Sequence, residues 1–276
     1  MKTSPLYILF LLLLFALAAA PGFAQQPEKQ LVYSHSVGIS SPTTISIDRR
    51  GSVYLLGPRR NLYTLDSLGR AVFTYSPPAH SRPTTIEAWN PMKVFVFYGD
   101  KQEILLLDRF LRPITSASLT DFDFPGTVTA ATLASDDSFW LFSETNFTLS
   151  KLDLRYQKLT VETPIGLILD KERFDIRLLR EYQNMLYLLD TNGGIFVFDN
   201  LGNYKTKLPF TGLSYINFLG NELYFVKDGQ LIFYDLYKQQ TRSITLPPTP
   251  AYVSALVADR HIYLFTKDKM DAYLLQ

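Results

Sequence analysis

The stretch Ser52–Asp66 (SVYLLGPRRNLYTLD) decides the fold, because the chain repeats its pattern six times with small changes. Each copy has an apolar strand with an aromatic at a fixed place, a turn, and a second strand that usually ends in aspartate. The aromatics are Tyr54, Phe95, Trp140, Tyr187, Tyr224 and Tyr263. The aspartates are Asp66, Asp108, Asp153, Asp199 and Asp235, and Leu274 takes that place in the sixth copy. Repeats of about 40 residues with several short strands are typical of a β-propeller.

Each copy is predicted to form one four-stranded blade. In the first copy the strands are expected at Thr43–Asp48, Ser52–Gly57, Asn61–Leu65 and Ala71–Ser76. The sixth copy supplies three strands, and Gln30–Val37 is a spare strand before the first copy. Pairing this strand into the last blade would protect the sheet edges. The sequence therefore predicts an all-β protein, a six-bladed β-propeller of four-stranded blades whose last blade is closed by the N-terminal strand.

The repeated residues have structural roles in this interpretation. The aromatics are expected to pack between neighbouring blades, and a stacking platform for bases or sugars is the alternative. The aspartates begin turns such as Asp66-Ser67-Leu68-Gly69, where aspartate accepts local backbone hydrogen bonds and glycine takes the positive φ. Metal ligation is the alternative for these aspartates, but they fall one per blade and far from each other.

The N-terminal segment has the features of a secretory signal peptide. Lys2 precedes the apolar run Leu6–Ala20, and Gly22-Phe23-Ala24 offers small residues at the usual cleavage offsets. The run is shorter than the ~20 residues of a membrane span. We therefore expect residues 1–24 to be the signal peptide and residues 25–276 to be a single β-propeller domain. An uncleaved N-terminal anchor is the alternative.

Composition narrows the location and the partners. The chain has no cysteine, which excludes disulfides and the cysteine that carries the lipid of a bacterial lipoprotein. Residues 1–24 hold one of the 27 basic side chains and none of the 26 acidic ones, so the rest of the chain is neutral. A neutral balance argues against a nucleic-acid partner. The expected location is periplasmic or extracellular, not as a lipoprotein, with no stable membrane span after cleavage.

A binding site is expected on one face of the propeller, where the loops between second and third strands meet the links between blades. This expectation rests on analogy with other propellers. On that face two basic loops would converge into a patch for an acidic ligand. The segment Asp121-Phe122-Asp123 places two carboxylates two residues apart, as some Ca²⁺-binding loops do, but it lacks their further oxygen ligands and their glycine spacing. The alternative is a set of solvated loops. The candidate binding residues are Arg59, Arg60, His80, Arg82, Asp121 and Asp123.

The sequence lacks the motifs of common enzyme classes. Its three histidines, His35, His80 and His261, form no zinc pattern, and neither a GxSxG elbow nor a glycine-rich phosphate loop is present. The sequence therefore predicts no catalytic residues, no metal and no cofactor. We expect a protein without enzymatic activity and keep an enzyme as the less favoured possibility. Metal-dependent hydrolases with a site in the central tunnel need several inward carboxylates and asparagines. Glu87 and Asn217 are the best candidates for such a role, and two residues do not make a site.

The repeats Leu62–Gly69 (LYTLDSLG) and Ile195–Gly202 (IFVFDNLG) make the chain similar to a known group of proteins. Residues 30–276 resemble exported bacterial six-bladed β-propellers of the NHL and TolB-like type. The chain departs from both types, because it has neither a recurrent NHL motif nor a TolB-like partner domain. It also lacks the repeated motifs of eight-bladed quinoproteins, so a quinone cofactor is not expected.

These observations lead to an exported, non-catalytic β-propeller that acts as a binding or scaffold module for a protein or a cell-envelope component. The alternative is a metal-dependent, lactonase-like hydrolase with a site in the central tunnel. A weaker third interpretation is sugar binding by exposed loop aromatics, for example Phe122, Phe124 and Phe147.

Overall fold

The computed structural model describes residues 31–78, 81–90, 92–122, 124 and 126–275. The predicted signal peptide, His80 and Asp123 lie outside the described residues. The described chain forms six antiparallel sheets of four strands each, arranged as a β-propeller, and the predicted fold class is confirmed. Within these residues no helix has the length and apolarity that crossing a membrane requires.

The strands follow the chain from the innermost to the outermost strand of each blade. Blade 1 holds β2 (Ile45–Ile47), β3 (Val53–Leu56), β4 (Leu62–Leu65) and β5 (Ala71–Tyr75). Blade 2 holds β6 (Thr85–Glu87), β7 (Val94–Tyr98), β8 (Glu103–Leu107) and β9 (Pro113–Ser118). Blade 3 holds β10 (Val128–Leu133), β11 (Phe139–Ser143), β12 (Thr148–Asp153) and β13 (Lys158–Pro164). Two short 3₁₀ turns, Pro58–Arg60 and Leu119–Phe122, lie outside the strands.

The second half of the chain repeats this order, and its last blade takes one strand from the beginning. Blade 4 holds β14 (Ile176–Tyr182), β15 (Met185–Asp190), β16 (Gly194–Asp199) and β17 (Tyr204–Leu208). Blade 5 holds β18 (Asn217–Leu219), β19 (Glu222–Lys227), β20 (Gln230–Asp235) and β21 (Thr241–Thr245). Blade 6 holds β22 (Ser254–Val257), β23 (His261–Phe265), β24 (Lys269–Leu275) and β1 (Leu31–Gly38).

The ring closes as the sequence predicts. Strand β1 pairs antiparallel with β24, from Leu31 opposite Leu275 to Gly38 opposite Lys269. The innermost strands β22 and β2 of the last and first blades are in contact. The spare N-terminal strand therefore covers the outer edge of blade 6, which would otherwise expose unpaired backbone groups.

The hydrophobic core lies between the blades, because each sheet buries both faces against its neighbours. The repeated aromatics are all buried there, as predicted. Trp140 of blade 3 donates its indole N–H to Oε2 of Glu181 in blade 4 at 2.8 Å. The phenol oxygen of Tyr224 in blade 5 accepts the backbone N–H of Val257 in blade 6 at 3.0 Å. In blades 3 and 5 the repeated aromatic thus joins its sheet to the innermost strand of the next blade.

The repeated aspartates form turns, as predicted. Oδ1 of Asp66 accepts the backbone N–H groups of Leu68 and Arg70 at 3.0 and 2.9 Å. Gly69 completes the turn with a φ of 74°, which favours glycine. These donors, with the Arg70 backbone first, hold the pKa of the Asp66 carboxyl below its ordinary value. The same pattern of donors two and four residues later recurs at Asp199.

Replacing Trp140 with phenylalanine is expected to lower the free energy of unfolding by about 2–3 kcal/mol. The ring stays apolar, but the buried carboxylate of Glu181 loses its indole donor. Trp89→Phe is the matched control, because its indole nitrogen is buried and has no hydrogen-bond partner among the described residues. Chemical denaturation of both variants checks this. Equal losses of stability in the two variants would show that the hydrogen bond contributes nothing.

Candidate functional site

A cavity of about 1000 Å³ opens at one end of the central channel. Its wall is built from the turns that join the first and second strands of the blades, and we call this end the hairpin face. The opposite end, with the turns between second and third strands and the links between blades, is called the linker face. The cavity therefore lies on the face opposite to the one on which the sequence predicts a site.

The floor of the cavity is a buried ion pair that spans the channel. Nε of Arg180 in β14 donates to Oε1 of Glu87 in β6 at 2.9 Å, and both side chains are at least 96% buried. Thr132 of β10 donates its hydroxyl to both carboxylate oxygens at 2.8 Å. Nη1 of Arg180 donates to Oδ1 of Asn217 in β18 at 3.2 Å. These contacts join blades 2 to 5 and close the channel.

The channel narrows beyond this floor. A second cavity of about 20 Å³ lies toward the linker face, among residues that include Thr84, Ser214 and Tyr215. Arg180 contributes to the walls of both cavities. We infer that the guanidinium separates a wide mouth on the hairpin face from a narrow space behind it.

Burial and pairing act in opposite directions on the two charges. Burial raises the pKa of the Glu87 carboxyl, while Arg180 and Thr132 favour its charged form. Burial works against the charged guanidinium of Arg180, but the Glu87 carboxylate raises its pKa overall. The guanidinium stays protonated at any pH that proteins tolerate, and its charge favours the ionised form of the Glu87 carboxyl, so each charge depends on the other.

Three arginines lie on the rim of the cavity. Arg49 and Arg50 follow β2 in blade 1, and Arg260 follows β22 in the neighbouring blade 6. All three are exposed, and their side chains have no hydrogen bond or ion pair with a described residue. Asp48 lies beside them, but its carboxylate already accepts the backbone N–H groups of Arg50 and Ser52. This side of the mouth therefore offers three guanidinium groups that have no hydrogen-bond or ion-pair partner among the described residues.

The opposite wall, from blades 4 and 5, is held in place by hydrogen bonds. The rings of Tyr182 and Phe218 stack with centroids 4.4 Å apart. The hydroxyl of Tyr182 and the amide of Gln183 both donate to the carbonyl of Gly220, at 2.7 and 3.1 Å. The hydroxyl of Tyr237 donates to Oε1 of Gln183 at 3.1 Å. This wall is thus rigid and presents aromatic and amide groups.

The residues predicted from sequence are placed on the linker face. Arg59 and Arg60 occupy the turn between β3 and β4, both exposed, with φ values of 68° and 63°. Arg82 and Asp121 lie in links between blades and are also exposed. Among the described residues, no hydrogen bond or ion pair joins these four side chains. A binding patch that includes them, with His80 and Asp123, stays a prediction.

The structure does bring Glu87 and Asn217 together, and it does so through Arg180. Sequence reasoning missed this arrangement because Glu87 and Arg180 belong to blades 2 and 4, which are not neighbours along the repeat. The sequence did contain a signal for this site, namely charged residues on innermost strands whose other positions are apolar or small. The rim arginines gave a weaker signal, since Arg49-Arg50 before Gly51 is also an ordinary turn sequence.

A metal does not fit the floor of the cavity. Both oxygens of Glu87 accept hydrogen bonds, and Oδ1 of Asn217 accepts from Arg180 and from the backbone of Phe218. The guanidinium occupies the place where a cation would have to lie. Across the described parts of the chain, no group of three or more histidine, aspartate or glutamate side chains is placed to hold a metal ion.

Solved structures show the same fold in proteins of different kinds. A streptogramin B lyase is 14% identical with a TM-score of 0.62, covering 90% of this chain and 97% of that one. BamB from Moraxella catarrhalis is 12% identical with a TM-score of 0.52, covering 89% and 100%. BBS1N in complex with ARL6DN is 11% identical with a TM-score of 0.60, covering 90% and 98%. No protein-family model matches the chain, and the comparison with curated proteins finds no match.

Proposed function

We propose that this protein is a non-catalytic binding module whose hairpin-face cavity receives a protein or a cell-envelope component. The observation that carries the proposal is the cavity itself, about 1000 Å³ in volume, with a rigid wall, an unpaired basic rim and a closed floor. Binding sites are concave and largely preformed, with a small number of placed polar groups. The linker-face patch around Arg59, Arg60 and Arg82 is the competing surface.

The floor chemistry favours binding over hydrolysis. Glu87 is the carboxylate that a tunnel hydrolase would use, yet its oxygens are occupied by Arg180 and Thr132. While both oxygens accept these hydrogen bonds, the Glu87 carboxylate does not face an open space in which it could take a proton from a substrate or ligate a metal ion. A metal-dependent hydrolase therefore has weaker support from this site than a binding module has.

Export is part of the same proposal. We expect cleavage after Ala24, a mature domain of residues 25–276, and a periplasmic or extracellular location, in line with the resemblance to exported NHL and TolB-like propellers. The neighbouring structures offer precedents of both kinds, since one is a lyase and another, BBS1N, is bound to the protein ARL6DN. At such low identity they support the fold alone.

Two matched variants distinguish the two faces. Arg49→Gln/Arg50→Gln is expected to lose most of a bound partner in a pull-down of residues 25–276 from envelope extract. Arg59→Gln/Arg60→Gln should retain it. Both pairs lie in blade 1, are exposed and have no side-chain partner among the described residues, so the two variants lose the same charge on opposite faces.

The opposite pattern, with loss only in Arg59→Gln/Arg60→Gln, would move the site to the linker face. Metal analysis of the same purified sample tests the hydrolase alternative. A stoichiometric divalent ion without any partner would contradict the binding module and favour a tunnel site.

A further inference from the structure

We propose that the hairpin-face cavity binds an acidic peptide segment of a protein partner, whose carboxylates pair with the rim arginines Arg49, Arg50 and Arg260. The inference rests on the proposed binding function and adds the chemistry of the ligand. It follows from the hydrogen-bonding groups that the cavity leaves unpaired.

At the rim, free donors outnumber free acceptors. The three arginines have no side-chain partner among the described residues. Of the acids that line the cavity, Glu181 accepts from the backbone of Ser135 and from the Trp140 indole, which occupies both of its oxygens. Only Asp259 remains as an exposed acid without a described partner. Arginine pairs with carboxylates through two parallel hydrogen bonds, which suits an acidic ligand.

Deeper in the cavity, two lining residues hold polar atoms that are buried and unpaired. They are Nε1 of Trp89 and the hydroxyl of Tyr263, without partners among the described residues. Tyr263 is 1% exposed. Both groups can donate, and a buried donor without a partner costs stability. Their grouping around one cavity is an independent observation that favours a ligand rich in acceptor oxygens.

A peptide suits the cavity better than a small inorganic anion. The volume is at the upper end of the range for ligand sites, far more than one carboxylate or phosphate needs. The wall opposite the arginines offers the stacked rings of Tyr182 and Phe218 and the exposed amide of Asn184. An acidic segment supplies carboxylates for the rim and apolar and backbone groups for this wall.

The test uses residues 25–276 and two labelled peptides, hexaglutamate and hexaglutamine, with binding followed by fluorescence anisotropy. Hexaglutamate should bind, hexaglutamine should not, and added salt should weaken binding because exposed ion pairs are screened. Arg49→Gln/Arg50→Gln and Arg260→Gln should each weaken binding about tenfold or more. Arg59→Gln/Arg60→Gln on the linker face should bind as the parent does.

A second pair of variants tests the cavity without changing charge. Ser135 is exposed and lines the cavity, so Ser135→Trp should fill part of it and weaken hexaglutamate binding. Ser116→Trp, on the outermost strand of blade 2, is the control and should have no effect. Unchanged binding in Ser135→Trp, together with loss in Arg59→Gln/Arg60→Gln, would overturn the assignment.

The possible outcomes test the chemical class of the ligand independently of the proposed binding function. A partner lost by Arg49→Gln/Arg50→Gln, with no hexaglutamate binding, would overturn the acidic peptide and leave the binding module standing. Binding of an oligouronate with the same arginine dependence, in place of the peptide, would move the ligand to acidic sugars. Absence of both partner and peptide binding would contradict both proposals.

Discussion

Replacing Arg180 with methionine is expected to lower the free energy of unfolding by about 3–5 kcal/mol, because it leaves Glu87 as a buried charge without its counter-charge. Glu87→Met should cost a similar amount through the unpaired guanidinium. For a chain of this size such a loss corresponds to a Tm lower by about 6–20 °C. Urea unfolding and calorimetry of both variants measure it.

The double variant Glu87→Met/Arg180→Met is the control for this prediction. Replacing a whole buried ion pair by apolar side chains of similar volume is often neutral, so the double variant should recover much of the stability. Thr132 and Asn217 would keep unpaired groups, which limits the recovery. Additive losses in the double variant would show that the two charges do not depend on each other.

The loss in Arg180→Met should also depend on pH. Burial raises the pKa of Glu87, and removing Arg180 removes the main interaction that opposes this rise. A carboxyl whose folded-state pKa is raised destabilises the fold as pH rises above its unfolded value, about 4.3. The gap in stability between parent and variant should therefore be widest near neutral pH and narrow toward pH 4. A gap that stays constant from pH 4 to 7 would mean that Glu87 is not the charge left unpaired.

Deleting strand β1 is expected to have an effect of similar size. Seven residues of β1 pair with β24, and hydrogen bonds contribute about 1 kcal/mol each, so a chain of residues 39–276 should lose several kcal/mol. Its Tm should fall by about 10 °C or more relative to residues 25–276. The exposed edge of β24 should also promote self-association. Calorimetry and light scattering of the two chains check this.

A rescue experiment with the missing strand distinguishes the loss of ring closure from a general effect of truncation. A peptide of residues 25–38, added in excess to the shortened chain, should pair with β24 and raise the Tm in proportion to its concentration. A peptide in which Val37 is replaced by proline should rescue less, because proline cannot donate to the ladder. A shortened chain that is monomeric with an unchanged Tm would show that β1 contributes nothing to closure.

The architecture was predictable because it depends on local pattern. Alternating apolar strands, an aromatic at a fixed place and an aspartate turn recur in each copy, and these signals act within a few residues of each other. The predicted strand Gln30–Val37 is observed at Leu31–Gly38, in the last blade. Even the turn role of Asp66 and Asp199 could be assigned from their neighbours alone.

The site was harder to predict, because its residues are far apart in the sequence and come together only in the folded chain. Glu87 and Arg180 are 93 positions apart and meet only because six innermost strands surround one channel. The turns with Arg49 and Arg260, at opposite ends of the chain, become neighbours only when blade 6 closes onto blade 1. Nothing in either turn's own sequence distinguishes it from a solvated loop, which is why the sequence directs attention to the linker face.

The sequence by itself therefore determined the fold class, the number of blades and the strand that closes the ring, since periodicity and turn chemistry are properties of neighbouring residues. Only the tertiary structure decided which face carries the cavity, that an ion pair closes its floor, and which charges are left unpaired at its mouth. Burial and charge pairing depend on groups that the closed ring brings together from different blades. The sequence of a single repeat therefore carries no information about them.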